Sequence, residues 1–294
     1  MTENIIAQKI NGITRAQKIK SYRRDPLSLV LLFIVNFSSI LTIAVLVFII
    51  GFILVRGIPN LSPKLFELKY TTENVSLFPA LVNTLIIVVV SLIIAVPLGI
   101  FSAVYLTEYA KKGSQLVKVI RITAETLSGI PSIIYGLFGM LFFVIALKMG
   151  YSILSGALTL AIMILPLIMR TTEEALLAVP ISYREGSYGL GAGKMRTVFK
   201  IVLPSAMPGI LAGVILGIGR IVGETAALIY TAGSVAAIPK SLKSSGRTLA
   251  VHMYAISTEG IYVNEAYATA VVLIVVVVII NWLSTISARK LTKG

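Results

Sequence analysis

Two ionisable residues inside an apolar run carry the sharpest chemical signal in the sequence. Arg220 and Glu224 stand in GRIVGETAALIYTAG (219–233), with long apolar stretches around them. At i and i+4 they would share one face of a helix and lie within pairing reach. Charges in a bilayer interior are costly and mark a functional pathway by default, and pairing lowers the cost of burying either one. The planar, fixed charge of a guanidinium suits a tetrahedral oxyanion. Glu224 would then hold Arg220 in place or accept a hydrogen bond from a protonated anion, and Thr225 adds a hydroxyl donor. The alternative is a structural ion pair that clamps this helix to a neighbour; both readings stand on the residues alone.

The second chemical feature is the polar segment 170–206, which begins RTTEEALLAVPISYREGSYGLGAGKMRTVFK. Thr171 to Leu177 should prolong the preceding helix, with Glu173 and Glu174 in water. Pro180 breaks it. Ser182 is placed to cap a new short helix, with Glu185 three positions on completing a capping box. Gly189, Gly191 and Gly193 would end that helix. A second amphipathic stretch, Met195 to Leu203, leads to Pro204 and Pro208. The segment thus reads as two short helices joined at a glycine-rich bend, lying along the membrane and shaped to be gripped by a partner.

Two tempting motifs fail. GLGAGKM (189–195) resembles a phosphate-cradling loop, but Tyr188 stands where that pattern needs glycine and Met195 where it needs Ser or Thr. GIGRIVG (217–223) misses the dinucleotide fingerprint by one residue and sits in an apolar span. The chain therefore carries no nucleotide site of its own, and any ATP used must be hydrolysed by another polypeptide. With no Cys and the single His252, disulfide frameworks and Cys/His metal sites are excluded.

These residues must be positioned by membrane helices. The chain has 294 residues, 57% hydrophobic and only 13% charged, with a mean hydropathy of +0.95. Soluble domains carry about 25% charged residues, so a soluble enzyme, a secreted scaffold and a disordered regulator are all excluded. Uncharged runs at 26–55, 74–107, 126–147, 149–169, 201–219 and 266–288 reach or approach the roughly 20 residues a spanning helix needs. They predict an all-α integral membrane protein with six helices near 28–55, 80–106, 130–147, 151–169, 207–231 and 266–287. Of the 26 Lys and Arg, 18 fall in segments on one side and 7 on the other, Arg220 lying within a span. The richer side is expected to be cytoplasmic, with both termini there. The +14 net charge fits basic loops facing an anionic leaflet better than nucleic acid. The first span runs thirty residues, too long for a cleaved signal. The basic segment 1–27 reads as a surface helix or a mobile tail, and 288–294 as a short cytoplasmic tail. Glycines at 209, 213, 217, 219 and 223 would allow close helix approach, within the chain or against a partner. Pro97 and Pro166 read as kinks.

The polar segment resembles the permeases of ABC-type importers, whose cytoplasmic pattern is E-A-A, three residues, G, nine residues, I-x-L-P. Glu185, Gly186, Ser187, Gly191, Ile201, Leu203 and Pro204 match in register, with both alanines replaced by small residues. YLTEYA (105–110), PSIIYGLFG (131–139), LTLAIMILPLIMRTTEEALLAVP (158–180), REGSYGLGA (184–192) and GRIVGETAALIYTAG narrow the resemblance to the phosphate-specific, PstA-type permeases, over about residues 78–285. Ala227 departs from the proline usual there after GETA.

The resemblance implies the type I importer permease fold, with a core over 78–287 and a coupling helix between helices 4 and 5. It implies one of two membrane subunits of an inorganic phosphate importer in a prokaryotic cytoplasmic (inner) membrane. The partners would be a PstC-like permease, an ATPase dimer and a periplasmic or lipid-anchored phosphate-binding protein; this chain would bind no cofactor, and the ATPase would use the ATP. Arg184, Glu185, Gly186, Ser187 and Gly191 would engage the ATPase, and Arg220, Glu224 and Thr225 would line the substrate pathway. An ion-coupled secondary transporter with Glu224 as proton carrier is the rival reading, and it leaves the ordered 184–204 segment without a purpose.

Overall fold

The computed structural model describes residues 26–111 and 113–293, with side chains over 27–286. Most of the basic 1–27 segment therefore lies outside the described residues. The chain divides into two units at Val55 and Arg56.

The first unit is the bulk of helix α1 (Pro26–Gly57), apolar all round with no charge before Arg56. Its polar side chains Asn36, Ser39 and Thr42 each donate to the carbonyl four residues back. Their donors are thereby met within the helix, as an apolar surrounding requires.

The second unit is a helical bundle. Its elements are α2 (Phe78–Val104), α3 (Gln115–Ser128), α4 (Ser132–Gly139), α5 (Ile153–Leu177), α6 (Ile181–Gly189), α7 (Lys194–Thr197), α8 (Leu203–Val222), α9 (Ala226–Ile229), α10 (Leu249–Thr258) and α11 (Val263–Lys293). Wider π turns carry α2 on through Tyr105–Tyr109, α4 through Met140–Ala146, and α7 into α8 through Val198–Val202. Among the described residues, five helices are long and apolar enough to cross a membrane, or six when α3 and α4, bent by 102°, count as one span.

The centre of the bundle is α5, packed against α2 and α8. Ile87 and Ala95 of α2, Leu160, Ile164 and Ile168 of α5, and Ile218, Ile221 and Val222 of α8 form one buried cluster with Leu228 of α9. A second cluster at the α6 end joins Val104, Leu106 and Val117 to Leu176, Val198, Val202 and Ile210. The glycines of α8 explain how close its approach to α5 is. A methyl at Gly209 would stand 2.6 Å from the Ala175 Cβ, and one at Gly213 would collide with the Thr171 side chain. These two glycines serve packing within the chain, whereas nothing stands within contact distance at Gly219.

Several sequence expectations change at the helix ends. The third span, expected at 130–147, is a 15-residue rod (Ser132–Ala146) preceded by a further helix, α3, within the segment between the second and third spans. α3 is amphipathic: Val117 is buried, and Ile120 and Ala124 pack on the same cluster. The fourth helix runs unbroken to Leu177 through Pro166, as does α2 through Pro97. The fifth rod begins at Lys194 and stops at Val222, earlier at both ends than 207–231.

Candidate functional site

At the α6 end, one ion pair fixes the polar segment to the bundle. Ala178 closes α5, and Pro180 serves as the N-cap of α6, with no side-chain cap bond. Ser182 thus sits in the first turn and does not cap, which corrects the capping-box expectation. Arg184 turns inward: Nη2 and Nε donate to Glu108 Oε1 at 2.7 and 3.1 Å. Nη1 donates to the Val179 carbonyl and Nη2 also to that of Leu176, both at 2.9 Å. One guanidinium thereby satisfies carbonyls at the C-terminal end of α5 and the carboxylate at the end of α2. The pair is half-buried, and removing one partner would leave the other charge short of its bonds in a poorly solvated place.

The end of α6 is set by Gly191, at φ +81°. Gly191 N donates to the Tyr188 carbonyl at 2.9 Å and Ala192 N to that of Ser187 at 3.1 Å, the double bond pattern of a Schellman stop. Gly189 and Gly193 do not take the left-handed conformation, so one of the three expected glycines does the work. Ser187 is buried and shares a 2.8 Å hydrogen bond with Thr197, tying α6 to α7. Glu185, Gly186 and Gly191 are exposed, as are Ile181, Tyr183, Tyr188 and Leu190, the last 91% exposed. Beside them a shallow cavity of about 460 Å³ carries Arg196 and Lys200 at its rim. Among the expected coupling residues, then, Arg184 and Ser187 face the bundle and the other three face outward.

A carboxylate expected in water lies buried nearby: Glu173 pairs with Arg121 of α3. Arg170 pairs with Glu174 at 3.1 Å and Glu125 at 3.6 Å, both in exposed positions. The signal for Glu173 was the apolar stripe of α3, which brings Arg121 onto α5.

The second candidate site is the break after α8. The helix ends at Val222, so Arg220 and Glu224 do not share a helical face, which corrects the i, i+4 pairing. Glu224 is 8% exposed, and its Oε1 accepts from Ala227 N at 3.1 Å. The carboxylate therefore caps α9, with Thr225 at the N-cap position making no side-chain cap bond. A proline at 227 would lack this N–H, so Ala227 and Glu224 belong to one local device. α9 is wedged between α4 and α5: a methyl at Gly136 would stand 2.8 Å from Ala227 Cα, and one at Gly156 2.9 Å from Ala232 Cβ. Among the described residues Arg220 forms no ion pair; it is half-buried and in electrostatic reach of the Tyr135 hydroxyl. The break thus leaves one cation with unused donors beside a carboxylate already bound to backbone. No group of three or more His, Cys, Asp or Glu able to hold a metal exists among the described residues.

A bundle of apolar helices with a polar break in one rod, and a bonded, outward-facing helix at one end, defines a multi-pass membrane component built to engage a second protein. Residues 95–293 match the family of binding-protein-dependent transport system inner membrane components, and the chain belongs to that family. It is 34% identical over 271 residues to the probable ABC transporter permease protein YqgI of Bacillus subtilis, covering 85% of this chain and 92% of that one. It is 38% identical over 211 residues to the phosphate transport system permease protein PstA of Pasteurella multocida, covering 71% and 74%. A bacterial alginate ABC transporter in complex with an alginate-bound periplasmic protein shares the fold, with a TM-score of 0.65 at 17% identity over 94% of this chain and 98% of that one. The chain is thus an all-α permease of the ABC importer type.

Proposed function

We propose that this chain is one of two membrane subunits of an ATP-driven inorganic phosphate importer, working with a PstC-like permease, an ATPase dimer and a phosphate-binding protein. The observation that carries the substrate is Arg220: an intramembrane guanidinium with no acid paired to it among the described residues, at a break in a spanning helix. A fixed, fork-shaped cation in such a place suits a tetrahedral oxyanion, and likeness to PstA selects phosphate among oxyanions. Glu224 shapes the break through its bond to Ala227 N, and Thr225 offers its hydroxyl beside it. Glu185, Gly186 and Gly191, with the apolar side chains around them, form the surface that meets the ATPase. Arg184 and Ser187 hold that surface rigidly on the ends of α2, α5 and α7. Closure of the ATPase pair would then move α6 and the spanning helices as one body. The membrane is the cytoplasmic one, both termini lie inside, and ATP chemistry belongs to the partner.

The test is uptake of labelled phosphate by proteoliposomes that hold this chain, its partner permease, the ATPase and the binding protein, with ATP at the ATPase face and the proton gradient collapsed. Uptake that needs every component and ATP is expected. Uptake by this chain alone, driven by a proton gradient, would overturn the reading in favour of secondary transport.

A further inference from the structure

At the end of the bundle opposite α6, a second cation is buried without an acid. Arg247 is 6% exposed, and its guanidinium lies over the Tyr70 ring, 4.5 Å from the centroid. Among the described residues it forms no ion pair, and its buried Nε and Nη2 have no hydrogen-bond partner. Its backbone is firmly held: the N–H donates to the Val235 carbonyl at 3.0 Å, and the carbonyl accepts from Asn83 Nδ2 at 3.0 Å. Thr248 follows as the N-cap of α10, so the cation stands just before the positive end of a helix, the wrong sign for the dipole.

One turn into α10, His252 is fully buried; neither ring nitrogen makes a hydrogen bond of normal geometry, although the Val75 backbone lies within reach of the ring. Its ring meets Tyr70 edge-on at 6.0 Å and 87°. Burial first, and then the Arg247 charge, push His252 down to about 3, against a weaker opposite pull from the Val75 backbone. The imidazole is thus neutral and offers one N–H donor. An uncompensated charge and several unbonded donors inside a protein each carry a substantial cost. One anion relieves the charge, the unbonded donors and the dipole mismatch together. Water would leave the charge in place. Nε and Nη2 form one edge of the guanidinium, the edge that presents two parallel N–H bonds to an oxyanion, so an oxyanion fits better than a halide.

We propose that Arg247 and His252, set around the Tyr70 ring, form a second oxyanion site at the end of the bundle opposite α6, separate from Arg220. The geometry of the site stands alone; only the choice of phosphate as probe rests on the transport reading. Lipid headgroups offer the same chemistry, so the bound source must be separated from free phosphate.

The experiment is thermal unfolding of the full chain in phosphate-free glycolipid discs, with sodium phosphate compared with sodium chloride at equal ionic strength. Phosphate is expected to raise the midpoint by about 2–4 °C. The comparison is made in the Arg220→Gln background, so that phosphate held at Arg220 cannot contribute; in that background the shift is expected with Arg247 in place and is lost on adding Arg247→Gln. Equal midpoints in phosphate and chloride, or a shift that survives Arg247→Gln, would overturn the site. Protection by added phosphatidylglycerol with none from free phosphate would overturn the free-anion assignment. Should Arg247→Gln not fold, crystals of the unaltered chain grown with arsenate decide the matter: anomalous density beside the Arg247 guanidinium supports the site, and its absence at saturating arsenate removes it. Unfolding requires no uptake, so loss of transport with an intact shift would count against the transport reading alone.

Discussion

Arg220 lies two residues before α8 stops, and that stop decides which groups it meets. Had the helix run on, Glu224 would sit one turn above it and neutralise it. Instead Glu224 Oε1 is bound to Ala227 N, and among the described residues Arg220 forms no ion pair, which is what the proposed pathway role requires. Removing a charge-assisted hydrogen bond to a bound anion costs about 1.5–3 kcal/mol, so Arg220→Gln should lower phosphate uptake by about tenfold or more. The variant should assemble with its partners as before, because the Ile218, Ile221 and Val222 contacts that seat α8 are untouched. Co-purification alongside an uptake assay reads both properties. Wild-type uptake in a well-assembled variant would remove Arg220 from the pathway.

Among the elements, the interiors of the spans were legible because charge is excluded from them, and their ends were not. Where a rod stops depends on groups distant in sequence. At the end of α5 the carbonyls of Leu176 and Val179 accept from Arg184, whose place is fixed by Glu108 some 76 residues earlier. Glu173 is buried because α3 folds back to bring Arg121 over it, and a lone polar stretch at 107–129 does not announce that fold. The motif register at Glu185, Gly191 and Pro204 was readable, but not which of its residues face the bundle. Gly191 is the position where helix geometry meets the proposed partner surface. Its φ of +81° costs any other L-residue about 1–2 kcal/mol, although a methyl there meets nothing within contact distance. Gly191→Ala should therefore misplace Leu190 and loosen ATPase co-purification several-fold. Gly186→Ala also adds a methyl in open space, but at an ordinary helical angle, and favours the helix by up to about 1 kcal/mol. It should leave co-purification intact. Equal behaviour of the two variants would mean that the stop at Gly191 has no part in docking.

For the whole molecule, everything turns on which way the bundle faces. α6, with Leu190 exposed, and the Arg247 site lie at opposite ends of α2, since Arg184 is held by Glu108 at one end and Leu249 N by Thr84 at the other. The excess of Lys and Arg on the α6 side predicts that this side is cytoplasmic, where ATP is available. The chain has no Cys, so a single introduced thiol reports its side without background. Ser182 in α6 and Ser241 in the segment before α10 are both exposed. In cells that lack the ATPase, Ser241→Cys should react with an impermeant maleimide added outside, and Ser182→Cys only after the membrane is opened. The reverse pattern would put the docking surface where no ATP is supplied, and the ATP-driven reading would fall with it. It would also move Arg247 to the cytoplasmic face, where an oxyanion site could only meet phosphate after its passage.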